Sequence, residues 1–408
     1  MSRELQRSCR ATRYRLKKKH LRQQSKTLAM KILVVGCGKV GSEIARDLAG
    51  SKEVDSVVAM DASSQNLKHL KKRVPKIETV NLSISQKTRF HDLLGKVDLV
   101  CGALPGRLGF DLMTETVKAD VDTVDISYTP RDAFLLQRKA KEAGCLVVPQ
   151  CGVAPGLTNM CVGDASRKLD QMKSVEIFVG GLPEKPEPPL NYRIVFSLED
   201  VVNEYSRPVQ VIENGKRKKV EALSGRGLTN FPGVGRLEYF LTDGLGSLPR
   251  SYPRTREMHE FTLRYPGHAD MMQTLRILGF FERNPVKISG VEVEPRQLSI
   301  ELLRGAMSHG SPEDFLALRV DVEGLSRGKK IHLRYQLLDH YNRRSGVSAM
   351  ARTTAYPCTS VALLVGRGEI RETGIVTPER IAQEESLFQF VVDRLDEHGV
   401  KVKMATLN

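Results

Sequence analysis

No apolar run in the chain approaches the roughly 20 residues that a membrane-spanning helix requires, so a bilayer-crossing protein is not expected. The seven cysteines (9, 37, 101, 145, 151, 161 and 358) include no CxxC pair. No His/Cys cluster has zinc spacing either. Their odd number and scatter fit reduced thiols in a cytosolic protein rather than a disulfide framework. No internal repeat is present. Acid is almost missing from residues 1–29, which hold ten Lys/Arg against Glu4 alone. That arm supplies most of the net charge of +15; the remainder carries 53 basic against 47 acidic residues. The body is therefore only mildly basic. Three readings of the arm are open: a tail for polyanions or a membrane surface, an organelle presequence without a clear apolar face, or sequence upstream of the folded protein. Met30 stands directly before the first apolar run, which favours the last and makes nucleic-acid binding an unfavoured expectation.

What the chain does have is a dinucleotide-binding signature. Ile32-Leu33-Val34-Val35 enters Gly36-Cys37-Gly38-Lys39-Val40-Gly41, and Val40, Ile44, Ala45 and Leu48 then mark one helical face. A second apolar run, Val57 to Met60, ends at Asp61. Gly36 would permit the tight turn, Gly38 the approach of a pyrophosphate, and Gly41 close helix–strand packing. Free N–H groups at the helix start favour the anion. Asp61, twenty residues after Gly41, is placed to accept from both ribose hydroxyls. Its charge would repel a 2′-phosphate, and no arginine follows in Ala62-Ser63-Ser64, so NAD is expected over NADP.

Strand and helix patterns alternate beyond Asp61. Strands are expected at 98–101, 121–126 and 145–148, and helices near 108–118 and from Pro130 to Gly144. This is an α/β pattern for a Rossmann-type, doubly wound parallel sheet, with loops 102–106, 125–129 and 149–156 at its ligand-binding edge. Ala103, Leu104 and Pro105 join the cofactor residues on that ground, as does Asp125. Cys151 lies in the third loop, where a reactive thiol and a small buried residue are both open. After about residue 170 the grammar changes. Val209–Glu213, Asn214-Gly215 and Lys216–Val220 read as a hairpin with a type I′ turn. Phe315–Val322 and Lys330–Leu338 alternate as two more strands, and Gly181–Pro189 reads as a stiff connection. The expected organisation is an arm (1–29), a nucleotide-binding domain (30–155, completed by 351–408) and an α+β domain on an antiparallel sheet (156–350).

The chain resembles the saccharopine dehydrogenase family. The resemblance is carried by Gly36–Gly41, by Gly152-Val153-Ala154-Pro155-Gly156-Leu157-Thr158-Asn159 and by Tyr192-Arg193-Ile194-Val195-Phe196-Ser197. Asn203-Glu204-Tyr205, Thr262-Leu263-Arg264-Tyr265-Pro266-Gly267-His268 and Met350-Ala351-Arg352-Thr353-Thr354 complete it. Ala355 departs from the glycine expected after that last segment. The resemblance implies NAD(P)-linked chemistry at a lysine side-chain nitrogen, and specifically oxidative deamination of L-lysine at its ε-carbon.

Such chemistry needs a proton-handling group, a carboxylate grip and an amine site. His268, after the Pro266-Gly267 turn, is the expected base, with capping of the following helix as its other reading. Asp125 would position the nicotinamide or the amine, or cap a helix. Arg193 and Arg264 could fork onto the substrate carboxylate, Glu204 could hold an ammonium, and Tyr205 and Tyr265 could line the cleft. The expected partners are a small amino-acid substrate and a second copy of the chain in a homodimer, with no metal. Rivals are a saccharopine or carboxynorspermidine reductase, which should demand more clustered arginines, and a non-catalytic NAD-binding redox sensor.

Overall fold

The computed structural model describes residues 30–194 and 197–407, so the expectations for the arm lie outside the described residues. The chain divides into two compact units. One runs to Leu157 and resumes over Thr354–Arg394; the other holds Thr158–Thr353 and the segment from Leu395 onward.

In the first unit, β1 (Met30–Val35), β2 (Val54–Asp61), β3 (Glu78–Asn81), β4 (Leu99–Gly102), β5 (Asp122–Asp125), β6 (Leu146–Val148) and β17 (Gly374–Ile375) form a seven-stranded sheet. Its order is β17-β6-β5-β4-β1-β2-β3, and every pairing is parallel. Helices Lys39–Gly50, Ser64–Arg73, Lys87–Leu94, Gly106–Lys118 and Gln137–Glu142 connect successive strands. Residues Ile32 to Val35 are all fully buried, as an unbroken apolar run in a sheet covered on both faces must be. Leu33, Val35, Val58, Met60, Phe90, Leu94, Val100 and Leu112 share one core cluster. Strand order reverses between β1 and β4, and there the loops after both strands open a crevice at their carboxyl ends.

The second unit is built on β7 (Gln171–Pro183), β8 (Val209–Glu213), β9 (Lys216–Val220), β10 (Gly227–Phe231), β11 (Gly235–Leu241), β12 (Glu257–Arg264), β15 (Asp314–Ser326), β16 (Lys329–His340) and β18 (Lys403–Leu407). The sheet is antiparallel except where β12 runs parallel to β7, with Phe261 opposite Phe178. Asn214 and Gly215 both have positive φ (52° and 74°), the type I′ geometry expected for the β8–β9 hairpin. Helices Leu198–Ser206, His268–Ile277 and Pro295–Ala306 share a core of Val201, Val202, Tyr205, Met272, Ile300 and Leu303 with Phe240 of β11. The short hairpin β13 (Val286–Ile288) and β14 (Val291–Val293) forms a sheet of its own.

Two boundaries differ from the sequence expectation. β7 continues through Gly181 to Pro183, because those residues pair with Asp314, Phe315 and Leu316 of β15. The C-terminal return is divided: Thr354–Arg394 joins the parallel-sheet unit, whereas β18 pairs with β16 in the other.

Candidate functional site

The glycine loop is shaped by close backbone contacts. Gly36 has φ +94°, and its N–H donates to the Met60 carbonyl at 2.8 Å. A side chain there would strike the Ala103 carbonyl, and one at Gly41 would overlap the Gly36 carbonyl oxygen. Gly38 differs: nothing lies within 4 Å of where its Cβ would be. It precedes helix Lys39–Gly50, which Lys39 and Val40 open and no side chain caps. Two glycines are thus dictated by packing and the third leaves an open face beside a helix N-terminus, a cradle that fits a pyrophosphate. Asp61, at the end of β2, is part of the same loop. Its Oδ2 accepts from the Cys37 N–H at 2.6 Å and its Oδ1 from the Ser63 N–H at 2.6 Å, with the Asn66 amide at 3.2 Å. A carboxylate offers about four lone-pair sites, so these three bonds leave capacity for about one ribose hydroxyl while fixing the carboxylate beside the loop.

The loop after β4 completes the crevice wall. Ala103 N–H donates to the Val35 carbonyl at 2.8 Å, the Leu104 carbonyl accepts from Ser127 Oγ at 2.9 Å, and Pro105 precedes helix Gly106–Lys118. Beneath it Asp125 ends β5, fully buried. Its Oδ1 accepts from the Ser127 N–H at 2.7 Å, while Oδ2 has no partner. That orphaned oxygen lies against Gly102, where any side chain would collide with it. Burial raises the Asp125 carboxyl to about 7, opposed only by its bonds to Ser127. Such a group can take or give a proton at neutral pH. Cys151 is buried next to it, its N–H donating to the Asp125 carbonyl at 2.8 Å, and burial pushes its thiol far up. It is a thiol held in its protonated, unreactive form.

The second unit carries a buried polar cluster between the face of β12 and helix Leu198–Ser206. Arg264 is 2% exposed; its Nη2 donates to Glu204 at 2.7 Å, its Nη1 to the Leu263 carbonyl at 2.9 Å, and its guanidinium lies 4.3 Å over the Tyr192 ring. Arg264 Nε and Tyr192 Oη have no partner. His268, the first residue of its helix, is fully buried. Its Nδ1–H donates to the Leu190 carbonyl at 2.8 Å, and its Nε2 therefore accepts from Tyr205 Oη at 2.9 Å. Farther along the same face of β12, Glu260 is 4% exposed with Oε2 unpartnered. Burial pushes its carboxyl well above the ordinary range, and Asp243 and Glu204 push the same way. Asp243 pairs with Arg207 at 3.2 Å.

Residues 32–148 match the saccharopine dehydrogenase NADP binding domain, and residues 152–400 match the saccharopine dehydrogenase C-terminal domain. The chain belongs to the saccharopine dehydrogenase family. Curated relatives include the mitochondrial alpha-aminoadipic semialdehyde synthase of Rattus norvegicus, 23% identical over 91% of this chain and 47% of that protein. The carboxyaminopropylagmatine dehydrogenase of Synechocystis is 24% identical over 86% of this chain and 92% of its own. The chain spans about half the length of the rat synthase. Among solved structures, apo saccharopine dehydrogenase (L-Glu forming) from Saccharomyces cerevisiae matches with a TM-score of 0.77 at 17% identity. That match covers 93% of this chain and all of the other, a likeness of fold.

In this member of the saccharopine dehydrogenase family, the expected residues divide sharply. Gly36, Gly38, Lys39, Val40, Gly41, Asp61, Ala103, Leu104, Pro105 and Asp125 are gathered within the first unit at the carboxyl ends of its strands. Glu204, Tyr205, Arg264 and His268 are gathered in the second. His268 does not fit the role of a base near neutrality. Both ring nitrogens are occupied, and burial with the nearby Arg264 charge lowers it to about 3. It holds Tyr205 instead. Arg264 has spent its fork on Glu204 and Leu263, leaving only Nε for a ligand. Arg193 donates to the Ser311 carbonyl at 2.8 Å, and Tyr265 donates to the Pro183 carbonyl at 2.9 Å while packing edge-on to Phe315. Neither joins the cluster by a hydrogen bond. Tyr192, Asp243 and Glu260 were not foreseen. For Glu260 the signal was present in β12, where Glu260, Thr262 and Arg264 put polar groups on every second position of a buried strand.

Proposed function

We propose that the protein is an NAD-dependent dehydrogenase of a lysine-type amine, oxidising L-lysine at the ε-carbon with release of ammonia. The observation that carries this reading is the surplus of acid in the second unit's buried cluster, where Glu204, Asp243 and Glu260 lie with Arg264 and Arg207 and Asp200 adds to the acid near Glu204. A substrate with several carboxylates would call for the reverse balance. Asp61 supports NAD, since a fixed carboxylate beside the loop repels a 2′-phosphate and no arginine follows it. The NADP in the family description stands against that preference.

When bound, the nicotinamide supplies the hydride acceptor. The chain's own residues then have separable tasks. The Gly36–Gly41 loop and Asp61 hold the nucleotide, and Ala103, Leu104 and Pro105 wall it. Asp125, neutral or ionised with nearly equal ease at neutral pH, handles a proton through its free Oδ2. Glu204 and Arg264 orient the substrate, with Tyr205 held by His268. The overall reaction takes up one water and yields the aldehyde, ammonium, reduced nucleotide and one proton.

A second reading, oxidation of a secondary amine, draws on the names of the relatives: saccharopine dehydrogenases, and a dehydrogenase of carboxyaminopropylagmatine. Initial rates of NAD and NADP reduction with lysine, saccharopine and carboxyaminopropylagmatine separate the two. The expected result is turnover with NAD and lysine. Turnover confined to the secondary amines moves the protein to the second reading.

A further inference from the structure

Glu260 is the charged group that the cluster leaves unexplained. Each arginine of the cluster has a carboxylate: Arg264 holds Glu204 at 2.7 Å and Arg207 holds Asp243 at 3.2 Å. Glu260 has neither an ion pair nor, at Oε2, a hydrogen bond among the described residues. Its carboxyl presses on the backbone of Gly244, where a side chain would overlap both of its oxygens. Glycine at 244 therefore keeps room for a carboxyl that gains nothing from the fold itself. Leaving a buried acceptor unsatisfied costs stability, and an apolar residue of the same size would avoid the cost. The acid makes sense if a donor arrives from outside.

Its position on β12 says which donor. Glu260, Thr262 and Arg264 share one face of the strand, and four residues separate Glu260 from Arg264 by about 13 Å along the backbone. At the Arg264 end two donors are unpartnered, Arg264 Nε and Tyr192 Oη, both buried. At the other end the unpartnered atom is an acceptor among acids. The face therefore offers donors for a carboxylate at one end and an acceptor for a cation at the other.

We propose that Glu260, flanked by Asp243, is the subsite that receives the protonated side-chain amine of an ω-amino acid whose carboxylate meets Arg264 and Tyr192. This rests on the reading of the protein as an amine dehydrogenase. Glu260 is then the specificity-determining contact, because a methyl in place of the amine would leave its carboxyl unsatisfied.

The test compares binding of L-lysine and L-norleucine, which differ by the terminal amine, to the full-length protein with nucleotide present. Wild type should prefer lysine. Glu260→Gln keeps size and polarity but cannot ionise; it should weaken lysine roughly 10- to 100-fold, the range for a hydrogen bond to a charged group. Norleucine and nucleotide affinities should hold. Glu260→Met fills the same volume and should give the same selective loss, so a fault in folding of one variant does not decide the matter. Equal effects on both ligands, or no preference in wild type, overturn the subsite. If lysine is preferred and the preference needs Glu260, yet no nucleotide is reduced, the subsite stands and the proposed reaction falls. If lysine is oxidised and Glu260→Gln leaves the preference intact, the reaction stands and the subsite falls.

Discussion

Asp125 illustrates how burying an ionisable side chain weighs on stability. An ordinary Asp ionises near 3.8, and burial raises this one to about 7 in the folded state. A raised carboxyl favours the folded state at low pH, where both states are protonated, and loses that balance as pH climbs. Stability should therefore fall between about pH 4 and 7, by up to about 4 kcal/mol at 1.36 kcal/mol per unit. Asp125→Asn keeps the acceptor for Ser127 and cannot ionise. It should melt higher than wild type at pH 8 and near wild type at pH 4, while turnover drops roughly 10²- to 10⁴-fold. A variant no more stable at pH 8 would mean Asp125 is already stabilised as the anion. Asp61 makes the complementary case. Asp61→Asn removes the charge but keeps an acceptor for the Cys37 or Ser63 N–H. The ratio of NAD to NADP affinity should narrow by about 10-fold or more, the cost of a charge-assisted bond and of lost repulsion. Titration with both nucleotides checks it; an unchanged ratio assigns discrimination elsewhere. His268 offers no such lever. A ring lowered to about 3 cannot produce a pH limb near neutrality, whereas a carboxyl raised to about 7 can.

At the scale of the element, the β1–loop–helix unit separates fold from function within six residues. Gly41→Ala drives a methyl into the Gly36 carbonyl, a backbone atom that cannot yield. It should cost about 1–3 kcal/mol or more by overpacking. Gly38→Ala adds a methyl where nothing lies within 4 Å, so the thermal midpoint should hold while nucleotide affinity falls. Thermal melts and nucleotide titration of the pair check both, and a Gly38→Ala variant that binds nucleotide as wild type would place the pyrophosphate elsewhere. These elements were legible because each rests on local rules. The run Ile32–Val35, the three glycines and Asn214-Gly215 all demand one backbone geometry, and β16 announces itself by alternation, whereas β15 is buried almost continuously from Asp314 to Val322. What stayed hidden was set by partners far along the chain. The pairing of Gly181 with Leu316 extends β7 past a glycine pair that reads locally as a loop. β18, exposed at four of its five residues, finds its place through β16 rather than through a core of its own. The same holds for His268: its turn was readable, but its two buried bonds come from Leu190 and Tyr205, 78 and 63 residues away.

For the whole molecule, the two units carry different chemistry on different sheets. The parallel sheet gathers backbone N–H groups and small residues suited to an anion, and the mixed sheet gathers buried carboxyls suited to a cation. Among the described residues no helix is long and apolar enough to cross a membrane, and no cluster of His, Cys, Asp and Glu could hold a metal ion. The six cysteines among the described residues are all buried. The proposed reaction pairs a nucleotide acceptor with an amine donor, and their stoichiometry is the direct test. With L-lysine as the sole amine and NAD as the sole oxidant, NADH formed and ammonia released should rise together, one for one. NADH without ammonia, or no NADH from lysine while saccharopine yields both NADH and glutamate, would contradict the account.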